Sequence, residues 1–570
     1  MMASISNLPP ELLNHICAFM QTKREIANFF QCSRQFYAIA APHLYHHVDL
    51  LSVEVFSHTD RTDDISHRVE ALVKAFLRDP HLGHLVQHFA IRVPMIASSR
   101  TSTLNPLDPK CEEIAKAVLH NSVEAQCQRP PARKPSSAAV DENNGSDWES
   151  TDESADEDEI EMFDDLDEQM PVFETEADRW IYLASRSKAI RGNVMLTILL
   201  SCLTNVSILD LEMPSVGWRT GFLDRAIQRD RSDDSASSFL ANLRRVCFGY
   251  TDPHLRGESW AGPFILPEVK EVYLHHLCGL GPSLSFLTPS SLNITHLELR
   301  DCRIPPPSLT RLLAGPKALK TFIYVVGEAQ TRAEVYIPIS YKSIRTALEK
   351  QKDSLERIWL DYPHNYHWDE TSTQHTGPMG SFSNFTQLKH LKIAGTYIYG
   401  FVWTGNVDER RLLRALPEQI ESLCLTHTDE DEEAIDGILI VLDAMKQGRL
   451  QQLKEIKLEA SARWYRENNR GLGRILSFAE SVGLGIRLLN NYSDSRIESL
   501  LQRRHFTSNF AREPAATREK ECPWGFYGET TWPTRVSGCM CQPLYEDITD
   551  IFIEMKSSRA NSSNRLSNST

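Results

Sequence analysis

The chain has 570 residues, of which 24% are charged and 41% hydrophobic, and a formal net charge of −15. That length exceeds one compact domain, so several units or one repetitive unit are expected. The acidic balance lacks the basic footprint of a general nucleic-acid binder. Its 12 cysteines are scattered, mostly inside apolar runs, which suits buried reduced thiols and not a disulfide framework. The longest apolar stretch, Val194 to Leu203, is interrupted by Thr197, Ser201 and Cys202 and falls short of a membrane span. Met1 to Asn7 lack the basic lead of a secretory signal. A cytoplasmic or nuclear protein with no membrane partner is expected.

The first elements lie between Leu8 and Leu50. Pro9 and Pro10 followed by Glu11 open a helix, because proline tolerates the first helical position and a carboxylate complements the positive end of the dipole. Leu12, Leu13, Ile16, Phe19 and Met20 then share one helical face. A polar break from Gln21 to Arg24 resets the pattern. Ile26, Phe29 and Phe30 lead into Cys32, Phe36, Tyr37 and Ile39, and Pro42 is expected to end that run. Two or three short amphipathic helices cannot bury all of these side chains among themselves. They would serve either as an ordinary cap on a larger domain or as a docking unit.

The order Leu-Pro-x-Glu-Leu-Leu from Leu8, then Ile16, Ile26, Cys32, Phe36-Tyr37, Pro42 and Leu44-Tyr45, resembles an F-box. Two departures are visible: Phe36 and Tyr37 stand where many members carry Trp, and Gln31 replaces the usual aliphatic residue before the Cys. The resemblance implies docking on the Skp adaptor protein, and through it on a cullin and a RING protein. The residues so implied are Leu8, Pro9, Glu11, Leu12, Ile16, Ile26, Cys32, Phe36, Leu44 and Tyr45.

Beyond Leu50, Val69, Leu72, Val73, Phe76 and Leu77 have helical spacing, and Pro80 to Gly83 stop that helix. A pattern of the form apolar-x-x-apolar-x-apolar then begins, with Leu85-Val86-Gln87-His88-Phe89-Ala90-Ile91. It returns at Val206, Leu243, Val269, Ile294, Leu319, Leu355, Leu388, Ile420 and Leu453, and in frayed form at Ile486. Its period is about 25 residues and later about 33, within or somewhat above the leucine-rich-repeat range. Each copy ends in strand alternation, and segments such as 307–313, 344–348 and 438–442 between copies have helical spacing. One strand and one helix cannot bury an apolar face alone, so the copies are expected to stack into an α/β solenoid with a curved parallel sheet. A doubly wound α/β domain also alternates strands with helices. The fixed spacing and the lack of a Gly-rich strand-to-helix loop favour the solenoid.

Two regions interrupt this plan. Residues 127–176 are rich in Pro, Ser and acid; from Asp141 to Asp178 there are eighteen carboxylates and no Lys or Arg, so a disordered acidic insert is expected. It reads as a solvated spacer, or as a dock for a basic partner or for phosphorylation at Ser150, Thr151 and Ser154. After it, Trp180, Leu183, Ile190, Val194 and Ile198 read as the helix before the Val206 strand. Residues 494–570 are expected to form a C-terminal cap, with Trp524, Phe526, Tyr527 and Trp532 over the last repeat, and a mobile tail. The expected divisions are therefore an F-box at 1–50, a linker helix and first strand at 51–126, the insert at 127–176, the solenoid at 177–493 and the cap at 494–570.

No catalytic signature is present: no G-x-S-x-G, Walker A loop, H-E-x-x-H or G-x-G-x-x-G after a strand. Gly377-Pro378-Met379-Gly380 reads as a turn. His81, His84 and His88 share helical spacing, but His88 falls in the first expected strand. In His46-His47 and His275-His276 the neighbours point apart on a strand. Cys522 with Cys539-Met540-Cys541 lacks zinc spacing and a fourth ligand. No enzyme activity, cofactor or metal is expected. Strand residues pointing away from the solenoid core are the expected contacts for a protein target: Asp210, Glu212, Tyr273, His275, Glu298, Arg300, Trp359, Asp361 and Lys392. Trp359 would be the anchor if exposed, unless the loop 362–380 buries it. The expected function is substrate recognition in an SCF-type (Skp-cullin-F-box) ubiquitin ligase. The alternatives are an adaptor-bound scaffold without ligase activity and an enzyme whose site lies in the loops between repeats.

Overall fold

The computed structural model describes residues 8–20, 23–50, 62–92, 107–119, 171–213 (without 172, 174 and 187), 240–250, 265–275, 284, 287–326, 340–362, 378–399, 410–428, 434–460, 464, 467–491 and 545–547. Most of the acidic insert, Cys522, Cys539, Cys541 and the aromatic cluster from Trp524 to Trp532 lie outside these residues.

Three helices come first: α1 (Pro10–Phe19), α2 (Lys23–Phe30) and α3 (Arg34–Tyr45). Pro10 occupies the first position of α1, and Glu11 sits in its first turn. The Ser33 hydroxyl caps α3 by accepting from the Phe36 amide at 3.1 Å. Pro42 does not end α3. It lies inside the helix, which continues one more turn as the His46 amide donates to the Pro42 carbonyl at 2.8 Å. That extra turn carries Tyr45 onto Phe76, ring centroids 6.0 Å apart.

The remainder alternates strands and helices. The described elements are β1 (His47–Leu50), α4 (Thr62–Arg78), α5 (Pro80–His84), β2 (His88–Arg92), α6 (Pro109–Leu119), α7 (Glu176–Arg186), α8 (Lys188–Ser201), β3 (Ile208–Met213), β4 (Arg245–Tyr250) and β5 (Glu271–His275). They continue with β6 (His296–Cys302), α9 (Pro306–Ala314), β7 (Thr321–Val326), α10 (Tyr341–Leu348), β8 (Arg357–Asp361), β9 (His390–Ala394), α11 (Gly395–Tyr399), α12 (Arg411–Ala415), β10 (Ser422–Thr426), α13 (Ala434–Lys446), β11 (Glu455–Ala460), α14 (Asn469–Val482), β12 (Gly485–Asn491) and β13 (Tyr545–Asp547). All thirteen strands form one sheet in chain order. β1 to β12 run parallel, and β13 pairs antiparallel with β12. A monotonic order has no switch point, which excludes the doubly wound alternative.

Every copy of the repeated pattern, from the one beginning at Leu85 to the one at Ile486, becomes a strand, β2 to β12. Before them comes β1, where Tyr45-x-x-Val48-x-Leu50 keeps the same spacing although it was not among the copies expected. The last two apolar residues of each copy face the helices. Leu209 and Leu211, Leu297 and Leu299, Ile358 and Leu360, Leu423 and Leu425 are all buried in one continuous core with α9 Leu309 and Leu312, α10 Ile344 and Leu348, and α13 Ile438 and Leu442. α8 has buried side chains from Asn193 to Leu200 because it meets α4, α6 and α7 as well as the core. This accounts for the long apolar run there without a membrane, and no helix among the described residues is long and apolar enough to cross one.

Neighbouring repeats are also tied by amides placed just before the repeated pattern. Asn205 Nδ2 donates to the His84 carbonyl at 2.8 Å, Asn242 to Thr204 at 2.9 Å and Asn293 to Pro267 at 2.6 Å. Gln419 Nε2 donates likewise to the Phe385 carbonyl. Each bond runs to the preceding repeat, so it satisfies a turn carbonyl that the sheet ladder leaves over.

Candidate protein-binding surfaces

The three N-terminal helices have a small core of their own: Leu13, Cys17, Ile26, Phe29, Phe36 and Ala40. Phe29 stacks on Phe36 with centroids 4.3 Å apart. α3 fastens the unit to the body. The Tyr37 hydroxyl donates to Asp79 Oδ2 at 2.6 Å, and that hydrogen bond, with burial and the carboxylate's charge, pushes the Tyr37 phenol up to about 12. Phe30 lies 4.2 Å from the Tyr37 ring.

Ile26 and Phe36, implied as adaptor contacts, are buried inside this unit at 7% and 5% exposure. They hold the helices together and are corrected here from contacts to supports. Three helices have little interior, and the largest side chains on their facing surfaces fill it. Pro9, Glu11 and Cys32 are exposed, while Leu8, Ile16, Leu44 and Tyr45 are half-buried. The Cys32 thiol donates to the Asn28 carbonyl at 3.3 Å. Leu12 is 49% exposed and Phe19 83%, and among the described residues they are the exposed large hydrophobics. Seven residues apart, they lie two turns along the same side of α1, with Ile16 between them. Phe19 was not among the residues implied by the resemblance; its seven-residue spacing from Leu12 was the available signal.

The second surface is the sheet face turned away from the helices. The register brings Asp210, Cys247, Tyr273, Glu298, Ile323, Trp359, Lys392, Cys424 and Lys457 into one row, each beside its neighbour on the next strand. Strand alternation places them on that face as expected. They are not exposed, however. Tyr273, Glu298, Arg300, Trp359, Asp361 and Lys392 are all 5% exposed or less, and Asp210 is 1% exposed. The side chains of Glu212 and His275 lie outside the described residues. The expectation of open target contacts is therefore corrected for these residues: strands about 4.8 Å apart bring unlike groups of one row into mutual contact, and they satisfy one another.

Trp359 is the centre of this arrangement. The Arg300 guanidinium lies 4.6 Å from its ring centroid and Lys392 Nζ 4.2 Å, and its indole N–H donates to Asp361 Oδ2 at 3.1 Å. Lys392 Nζ also meets Glu459 at 3.3 Å and Asp361 at 3.7 Å. Arg300 pairs with Glu298. Asp361 accepts from the Thr426 hydroxyl at 2.9 Å and from His427 Nε2 at 3.1 Å. The same His427 nitrogen lies 2.8 Å from the Tyr362 carbonyl. Both partners are acceptors, so this nitrogen carries a proton. Burial alone would raise the Asp361 carboxyl, but His427, Lys392 and the Trp359 N–H together hold it well below the usual carboxylate range.

Toward the N-terminal ends of the strands the groups are more open. Arg245 pairs with Glu271 at 2.6 Å. Lys320 reaches Glu356 at 3.1 Å, and Lys454 reaches Glu421 at 2.7 Å. No cluster of three or more His, Cys, Asp or Glu able to hold a metal occurs among the described residues.

The chain matches no curated protein. Residues 172–447 match the family model of a leucine-rich repeat domain, a span that runs from α7 to the end of α13 and holds β3 to β10. Such domains generally serve to bind other proteins. The repeating strands, the one-sided helices and that match agree, and residues 172–447 of this chain are a leucine-rich repeat domain.

Proposed function

We propose that the chain is the substrate-recognition subunit of an SCF-type ubiquitin ligase. Its N-terminal helices bind the Skp adaptor and its leucine-rich repeat domain binds the protein to be modified. The observation that carries this reading is the pairing of the F-box-like order from Leu8 to Tyr45 with an apolar stripe, Leu12 and Phe19, on a helical unit with its own core. A helix that merely capped the body would turn its largest apolar residues inward; these two face water, which suits a partner surface. The chain itself does no chemistry in this reading. It raises the local concentration of target lysines at the conjugating enzyme.

The test is binding of the full chain to the Skp adaptor by calorimetry. Tight binding is expected, weakened roughly tenfold or more by Leu12→Asp or Phe19→Asp with an unchanged circular dichroism spectrum. Absence of binding by the intact chain would remove the reading. Recovery of a cullin and a RING protein with the adaptor separates the ligase from a scaffold that stops at the adaptor.

A further inference from the structure

β1 is the seam between the three-helix unit and the sheet. It follows α3 after the single residue His46, has four residues, and is paired on one side only. The His46 carbonyl accepts the amides of Gln87 and His88 at 3.0 and 3.1 Å. In register, His47 lies opposite His88. Their rings stack with centroids 4.0 Å apart and planes at 10°. His88 is 7% exposed, and its Nε2 has no hydrogen-bond partner among the described residues. Parallel stacked imidazoles aim their nitrogen lone pairs side by side, not at one point, so the pair is not a chelating metal site.

The groups around His88 are as follows. β1 supplies His47, with His46 before it. β3 places Ile208 opposite, and Asp210 stands one row further along. β4 supplies Arg245, already paired with Glu271. We propose that the His47–His88 stack is a proton-sensitive latch: a proton on one ring puts a cation into the desolvated stack, a second sets cation against cation at van der Waals distance, and β1 parts from β2 at the seam with the three-helix unit. β1 is the side to yield because it has four residues and one neighbouring strand, whereas β2 is also held by β3.

Burial, followed by the proximity of His47, Arg245 and His46, pushes the His88 imidazole down to about 3. An imidazole released into water titrates near 6.5. The open state therefore binds the extra proton, and the latch is fully closed above about pH 6.5 and weakens progressively from there toward pH 3. Between pH 7.5 and 5.5 the opening constant rises about tenfold. The inference rests on β1 and β2 alone and stands or falls independently of the ligase reading.

Hydrogen exchange of the full chain at pH 7.5 and 5.5, corrected for intrinsic rates, tests it. The expected result is a loss of protection of about tenfold in the β1 and β2 amides, with Phe322 to Tyr324 and Ile358 to Leu360 unchanged. His88→Phe keeps a stacked ring without a titrating nitrogen and should abolish the response. Equal protection of β1 and β2 at both pH values, an equal loss across the whole sheet, or the same loss in His88→Phe would each overturn the latch. Should that variant not fold, NMR of labelled histidine in the wild-type chain decides: a His88 titrating near 6.5 with β1–β2 protection intact refutes it.

Discussion

Lys392 shows how much one side chain can carry on the face of a parallel sheet. Its side chain is 4% exposed, and its ammonium meets Asp361, Glu459 and the Trp359 ring. Replacing it by Met keeps the volume but leaves two buried carboxylates without their cation. Such removals cost about 3–5 kcal/mol, so urea denaturation of Lys392→Met should show a loss of that order. Asp361 sets the pH dependence. Its folded-state value is depressed, so its contribution to stability is complete above the ordinary carboxylate range and is lost as pH falls through and below about 4. Thermal melts between pH 6 and pH 3 should show this loss, and Asp361→Asn should flatten it. Trp359→Phe removes the indole N–H that binds Asp361 and weakens both cation contacts. A cost of about 1–3 kcal/mol is expected, measured by the same denaturation. Alternation along the strands predicted the face these residues occupy. It could not show that these neighbours would cover them, because the partners lie on other strands: Glu459 is 67 residues from Lys392 in sequence.

At the scale of elements, close approach decides which positions tolerate a side chain. A Cβ added at Gly83 in α5 would lie 2.3 Å from the Cys202 carbonyl oxygen. That obstacle is backbone, just after α8, and cannot rotate away. Gly83→Ala should therefore cost about 1–3 kcal/mol, read as a drop in melting temperature. Gly448, with φ of +87°, has room for a Cβ apart from the flexible end of Gln451; a substitution there is penalised through the backbone alone. Neither distinction is visible in the two glycines as letters. Helix ends were more legible: Pro9-Pro10-Glu11 does open α1. Pro42 misled because the extra turn to Tyr45 recovers in packing against Phe76 what the missing N–H forfeits. β1 has the same spacing, Tyr45-x-x-Val48-x-Leu50, but escaped notice because Tyr45 also ends the helical run of α3, and its identity as a strand depends on β2 lying beside it.

Across the whole molecule, the sheet runs in chain order and each repeat leans on its neighbours. Phe322 on β7 is fully buried near the middle of the array. Phe322→Ala should cost about 3–5 kcal/mol. In a nearest-neighbour array the damage should appear first in β6 to β8 and later in β3 and β11, which hydrogen exchange can follow. The C-terminal strand β13 lies at the far edge of the sheet, paired antiparallel with β12.

The amino-acid order by itself determined the repeat, its strand positions and the side of each strand that packs on helices, since these follow from local spacing of apolar residues. It also carried the F-box-like order at Leu8 to Tyr45. Only the tertiary structure decided which polar residues are covered, which apolar ones are left in water, and where the helical unit joins the sheet. The reason is physical: burial and charge pairing are properties of residues brought together from distant parts of the chain, and no local pattern records them.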